Sequence, residues 1–295
     1  MSTLTRQDIL STIKSENVRF IDLWFTDIIG IVKSVTIPAT EIENVLDNGS
    51  HFDGSSIEGF ARVAESDMVL WPDLNTFAIL PWTPADERVA RLICTVYTPT
   101  GEPFIGDPRT ALIRNLQQAE AEGYAFKTGM ELEFFLFPRD AQGKPIIRPP
   151  VDDYAAYFDM VPEQIQSIRR KMLATLAEMG IRADSVHSEI GYGQHEIDFQ
   201  YSDALDTADN ILTARIVIRT IARQYGLHCT FMPRPSNEFP GSGMHTHQSL
   251  HDPTTGENVF VDTSDEYNLS ATARRFLAGQ LAHARAMCAI LAPLV

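Results

Sequence analysis

Residues Gly129-Met-Glu-Leu-Glu-Phe-Phe-Leu-Phe137 alternate with period two, and that alternation restricts what this chain can fold into more than any other stretch of it. A strand sends successive side chains to opposite faces, so Glu131 and Glu133 share one face, roughly 6–7 Å apart along it. Leu132, Phe134 and Leu136 point the other way and need a core to cover them. Two carboxylates on a strand this apolar are costly to bury unless a cation neutralises them. A solvated acidic face would account for one Glu-x-Glu, but similar faces recur.

Gln194-His-Glu-Ile-Asp-Phe199 puts Glu196 and Asp198 on one face and Ile197 and Phe199 on the other. Glu189 precedes this run across a Gly191-Tyr-Gly193 loop flexible enough to bring its carboxylate to Glu196. Gly243-Met-His-Thr-His-Gln-Ser249 places His245, His247 and Ser249 on a common face. A set rich in carboxylate oxygen with an imidazole suits magnesium or manganese better than zinc. The chemistry that fits is phosphoryl transfer, in which two divalent ions bridge nucleotide phosphates. The chain has no Gly-x-x-x-x-Gly-Lys-[Ser/Thr] loop, so cationic side chains must help hold the phosphates. Arg234, in Phe231-Met-Pro-Arg-Pro, is one candidate, with a surface structural arginine as the alternative.

The rest of the chain divides into two regions. The first hundred residues read as a small mixed unit: a helix capped by Thr5, strands at 18–25 and 29–37 about a Thr26-Asp27 turn, and a short helix from Thr40 ended by Gly49. A loop covers residues 50–67, and strands follow at 77–80 and 89–97. The stretch Thr98-Pro-Thr-Gly-Glu-Pro predicts a boundary, placing domains at 1–105 and 106–295. Beyond it helices are expected over 108–123, 162–178 and 205–225 and from Ser270, between strands at 127–137, 194–200, 227–232 and 244–250.

The formal net charge of −15 argues against general affinity for nucleic acid or anionic membranes, both of which demand basic surface. The cysteines Cys94, Cys229 and Cys288 show no Cys-x-x-Cys pattern and read as inert thiols of a reducing compartment. The polar start and the lack of a membrane-length apolar run make a cytoplasmic protein the expectation.

Phe52-Asp-Gly-Ser-Ser-Ile57, Glu65-Ser-Asp-Met68, Gly129-Met-Glu-Leu-Glu-Phe-Phe, Gly193-Gln-His-Glu and Gly241-Ser-Gly-Met-His-Thr-His-Gln-Ser-Leu250 together resemble glutamine synthetases of the bacterial and archaeal type. Phe25-Thr-Asp-Ile-Ile-Gly-Ile-Val-Lys33 is similar to the family's opening hairpin. The resemblance implies an α+β chain: a β-grasp-like N-terminal domain, then a catalytic domain built on a curved antiparallel sheet. It also implies a ring-shaped homo-oligomer, a dodecamer of two hexamers, with active sites between subunits.

Carried over by motif, Glu133, Glu189 and Glu196 would hold one magnesium or manganese ion, and Glu131 with His245 another. His247, Ser249 and Tyr201 would face ATP, and Gly241 belongs to the loop that holds glutamate, beside Glu131. Asp53, with Ser55 nearby, would reach the neighbouring subunit's site, bind ammonium and take its proton. Arg62 matches a position linked to glutamine feedback, with a plain surface arginine as the alternative.

Two positions depart from the family pattern. Pro240 stands where many relatives have Asn, which resembles the loop of γ-glutamyl–polyamine ligases, and Ile190-Gly-Tyr-Gly193 replaces the usual Val-Ala-Pro-Gly. Three readings follow: glutamate–ammonia ligase first, glutamate–amine ligase second, and a non-catalytic relative third. The family continues past Val295 into further substrate-binding arginines, so the 295 residues are expected to be a piece that is inactive alone.

Overall fold

In a computed structural model, residues 3–57, 67–150 and 153–292 are described. Helix α1 (Arg6–Ser15) starts at a capping box in which the Thr5 and Asp8 side chains each accept the other's backbone N–H. It leads into an antiparallel hairpin, β1 (Phe20–Thr26) and β2 (Val32–Pro38). The second strand begins later than residue 29. The buried Asp27 carboxylate accepts from the Ile29 and Ile31 amides at 3.1 and 2.8 Å and holds 28–31 as a turn.

Helix α2 (Ile42–Asn48) is followed by β3 (Ser50–Asp53), β4 (Asp67–Pro72), the short β5 (Ala78–Ile79) and β6 (Val89–Tyr97). The order β2-β1-β6-β4-β3, with β5 also on β6, makes a mixed sheet whose β1–β6 pair is parallel. This is the β-grasp arrangement. Residues 50–53, expected as loop, are therefore strand, and β4 starts at residue 67, the expected end of that loop. Met68, Val69 and Leu70 are buried without alternation, as in a strand covered on both faces, and β3 takes its conformation from pairing with β4.

One face of this sheet, carrying Ile21, Leu23, Phe25, Ala90, Leu92, Cys94 and Val96, forms a core with Ile9 of α1 and Ile42 and Val45 of α2. The opposite face supplies Trp24 and Ile93 to a second, larger core. Between those two, Arg91 donates to the Thr76 carbonyl and to Thr213 at 3.2 Å, its guanidinium 5.5 Å from the Trp24 ring centroid.

Helix α3 (Pro108–Ala121) opens with Asp107 as its cap and Pro at the first helical position. It precedes β7 (Ala125–Pro138), the central strand of the second sheet. Then come α4 (Glu163–Glu178), β8 (Ala183–Ser188), β9 (Gln194–Phe199), β10 (Ser202–Asp203), α5 (Ala204–Gln224), β11 (Leu227–Thr230), β12 (Met244–His251) and α6 (Ala271–Leu291). Every pairing in this sheet is antiparallel, with β12 and β11 along one edge of β7 and β10 and β9 along the other.

Leu132, Phe134 and Leu136 point to α4 and α5, whose stripes Ile165, Ile168, Met172, Leu176 and Ile211, Ala214, Val217, Ile218, Ile221 close the core. That leaves Glu131 and Glu133 on the other face of β7, followed along it by the buried Phe135 and Phe137, which pack on Phe239. Helix α6 buries only Ala273 and exposes Leu277, Leu281, Ile290 and Leu291.

Candidate active site

Register builds the site. On β7, Glu131 lies opposite Asp198 of β9 on one side and His245 of β12 on the other; Glu133 lies opposite Glu196. One strand further, β8 places Ser185 beside Asp198 and His187 beside Glu196. Antiparallel pairing thus collects side chains distant in sequence into a grid on one face.

Glu131 is bracketed by two imidazoles. His245 Nδ1 lies 3.0 Å from Oε2 and His247 Nε2 2.7 Å from Oε1, with the two rings stacked at 4.4 Å. The hydrogen bond from His247 holds the Glu131 carboxyl below the usual range. The half-buried Glu133 and the buried Glu196 behave oppositely. Burial, with Glu189 and Glu131 adding repulsion, raises Glu133. Glu196 is pushed up to about 9 by burial, by its hydrogen bond to Glu189 and by the nearby Glu189, Asp198 and Glu133 charges. The contact between Glu189 and Glu196 depends on the turn between β8 and β9. Gly193 has φ +73° there, and a Cβ on it would meet the Leu136 carbonyl at 3.1 Å.

These donors fit divalent cations. Glu131, His245 and His247 bring ligand atoms within 4.8 Å of one another, and so do His187, Glu196 and Asp198. Crowded carboxylates that resist ionisation together are what a dication relieves.

Beside the cluster a cleft of about 520 Å³ runs along β7 and β12, lined by Lys127, Glu131, Tyr201, His247 and Ser249 among others. Tyr201 is 62% exposed and its ring stacks with that of His251 at 6.4 Å, while Ser249 Oγ lies 3.0 Å from His251 Nε2. The three residues expected to face a nucleotide thus line one cavity that reaches Glu131.

Arg234, Gly241, Asp53 and Ser55 do not line that cavity. Arg234 donates to the Phe239 and Asn237 carbonyls, both at 3.2 Å, and so braces its own loop. The Gly241 carbonyl accepts from Gln194 Nε2 at 3.0 Å. Asp53 and Ser55 sit where β3 ends, joined to each other: the Ser55 amide and hydroxyl donate to Asp53 Oδ1 at 2.8 and 2.6 Å. Those bonds lower the Asp53 pKa. Among the described residues no hydrogen bond or ion pair ties them to the carboxylate grid. Arg62 and Glu65 lie outside the described residues.

His187 and Gln194 were not singled out by sequence reasoning. Ala183-Asp-Ser-Val-His-Ser188 lacks the apolar alternation that would have flagged the first. Among the described residues no helix is long and apolar enough to cross a membrane. Cys94 and Cys229 are buried and Cys288 is exposed.

The chain matches the family model of the glutamine synthetase β-grasp domain over residues 17–99 and that of the glutamine synthetase catalytic domain over residues 105–295. It is 49% identical over 296 residues to a glutamine synthetase of Thermus thermophilus, covering 99% of this chain and 66% of that one. A glutamine synthetase of Clostridium saccharobutylicum is 47% identical over 100% of this chain and 66% of its own length. This chain therefore spans slightly less than two-thirds of either relative.

Among solved structures, a GmaS–ADP complex superposes with a TM-score of 0.88 at 30% identity, covering 98% of this chain and 65% of that one. A Plasmodium falciparum glutamine synthetase, at 24% identity, shares the fold with a TM-score of 0.86, covering 98% and 62%. With both family models matched in order and relatives near half identity throughout, the chain belongs to the glutamine synthetase family.

Proposed function

We propose that this chain carries much of the active site of a glutamate–ammonia ligase, which forms glutamine from glutamate, ammonia and ATP. The observation that carries the reading is the grid on β7, β9 and β12, in which Glu131, Glu133, Glu196 and His245 meet by register beside a cleft lined by His247, Ser249 and Tyr201. In this reading Glu133, Glu189 and Glu196 hold one magnesium or manganese ion, and Glu131 with His245 holds the other. Bound there, such ions screen the charge of phosphate oxygens during transfer.

The protein's own residues do the rest. Tyr201 offers a ring to the nucleotide base, with His247 and Ser249 beside the phosphates; Arg234 is the further phosphate candidate. The loop at Gly241 orients glutamate so that an oxygen of its side-chain carboxylate attacks the γ-phosphorus and ADP departs. Ammonia then attacks the acyl carbon of γ-glutamyl phosphate, inorganic phosphate leaves, and one proton passes to a base.

Asp53 of a neighbouring subunit is the residue for ammonium. Its lowered pKa keeps it anionic, which favours capture of the cation over long retention of the proton. That geometry goes with a cytoplasmic ring-shaped homo-oligomer, taken as a dodecamer, with sites between subunits and no nucleic-acid or membrane partner.

The test follows ADP release by the complete gene product with magnesium, ATP and glutamate while only the acceptor varies. Ammonium-dependent release that Glu133→Ala abolishes is expected. Release only with a larger amine would move the protein to the glutamate–amine ligases and make the Pro240 loop the specificity element. Silence with every acceptor would refute catalysis.

A further inference from the structure

Gln194 is 1% exposed, stands first on β9, and shares the face of Glu196 and Asp198. The two N–H groups of its amide nitrogen are shared among Glu133 Oε2 at 2.8 Å, the Gly241 carbonyl at 3.0 Å and Ser242 Oγ at 3.2 Å. Its amide oxygen accepts from the Gly191 N–H at 3.0 Å. One side chain thus joins a carboxylate of the grid, the loop before β12 and the turn that follows Glu189. A primary amide offers donors and an acceptor together; a carboxylate lacks the donors and a hydrocarbon lacks both.

The loop has little freedom to find another seat. Its Gly243 carbonyl accepts from the Glu133 amide at 3.3 Å, and a Cβ on Gly243 would stand 3.2 Å from Glu133 Oε1. On the other side, Pro240 Cγ lies 2.8 Å from where a Cβ on Gly191 would sit, so proline ring and glycine turn are in close contact. The two departures from the family pattern therefore touch each other, next to Gln194. A shift of residues 240–243 moves the acceptors of Gln194 and, through the same nitrogen, its bond to Glu133.

We infer that Gln194 is a positioning residue that couples the 240–243 loop to the Glu133 carboxylate, so that glutamate at the loop and a divalent cation at Glu133 strengthen each other's binding. This rests on the functional reading above, which places glutamate at Gly241 and a cation at Glu133. Linkage makes the effect reciprocal: the factor by which glutamate tightens the cation equals that by which the cation tightens glutamate.

The test titrates Mn²⁺ into the complete gene product by calorimetry, with and without saturating glutamate and without ATP, so that nothing turns over. Wild-type protein is expected to bind Mn²⁺ about fivefold or more tighter with glutamate present, the lower end of ordinary allosteric coupling. In Gln194→Leu that factor falls to about one. In Ser242→Ala, which removes one loop contact and leaves the Glu133 bond, it falls part of the way. A merely structural role would weaken both ligands and leave their ratio unchanged.

A wild-type-like factor in folded Gln194→Leu overturns the proposal. If that variant does not fold, a wild-type-like factor in Ser242→Ala overturns it. Wild type that binds both ligands without coupling overturns this inference alone, whereas wild type that binds neither overturns the functional reading and this inference with it.

Discussion

Replacing Arg109 by alanine removes a cation that joins the two halves of the chain. Its guanidinium donates to Asp209 of α5 at 2.8 and 3.2 Å, to Asp73 at 2.7 Å and to Thr95 of β6 at 2.9 Å. The Arg109 and Asp209 side chains are 8% and 9% exposed, so the variant leaves a carboxylate in a dry site. Breaking such a pair from one side costs about 3–5 kcal/mol, a large part of the 5–15 kcal/mol that ordinarily holds a domain together. Asp73, at 28% exposure, can turn to water and adds little.

Burial raises the Asp209 pKa, and Arg109 is the largest influence lowering it. Without Arg109 the folded-state value rises further above the unfolded value of about 3.9. A carboxyl raised in the fold contributes stability that is fully present below the unfolded pKa and lost as pH rises through the folded one. The deficit of Arg109→Ala is therefore smaller at pH 5 than at pH 8, and Asp209→Asn added to it recovers part of the loss at pH 8. Urea unfolding followed by tryptophan fluorescence reads this, since Trp24 lies in the core between the two sheets. A deficit under about 1 kcal/mol, or one independent of pH, would refute the reasoning.

Ser55→Ala removes the hydroxyl that donates to Asp53 and shifts the Asp53 titration upward, toward the ordinary carboxylate value, as carboxyl-carbon NMR against pH would show. An unmoved titration would mean that the hydroxyl bond does not set the charge state. Burial pushes the Cys94 and Cys229 thiols far up, so both should resist maleimide labelling in the native protein and react once urea unfolds it. Labelling of either under native conditions, located by mass spectrometry, would contradict their placement in the two cores.

Periodicity and caps revealed most of the elements. The 129–137 alternation, the helix opening at Asp107-Pro108 and the helices expected over 162–178 and 205–225 all appear in the fold, because each records a local requirement: a face to bury or an end to cap. Where conformation depended on partners, the same reasoning failed. Residues 50–53 are strand because β4 lies beside them, and 183–188 because β9 does. Neither has enough apolar alternation to announce itself.

The acidic faces at 131/133 and 196/198 and the histidines at 245 and 247 followed from the sequence alone, since a strand's period leaves no choice of side. Which carboxylate meets which partner was decided by tertiary structure. Register sets Glu131 between His245 and Asp198 and Glu133 opposite Glu196, and the turn at Gly193 folds Glu189 back onto Glu196. Gln194 remained unmarked for the same reason. Its acceptors come from positions 133, 241 and 242, and only the pairing of β9 with β7 and the path of the loop before β12 bring them within reach of one amide.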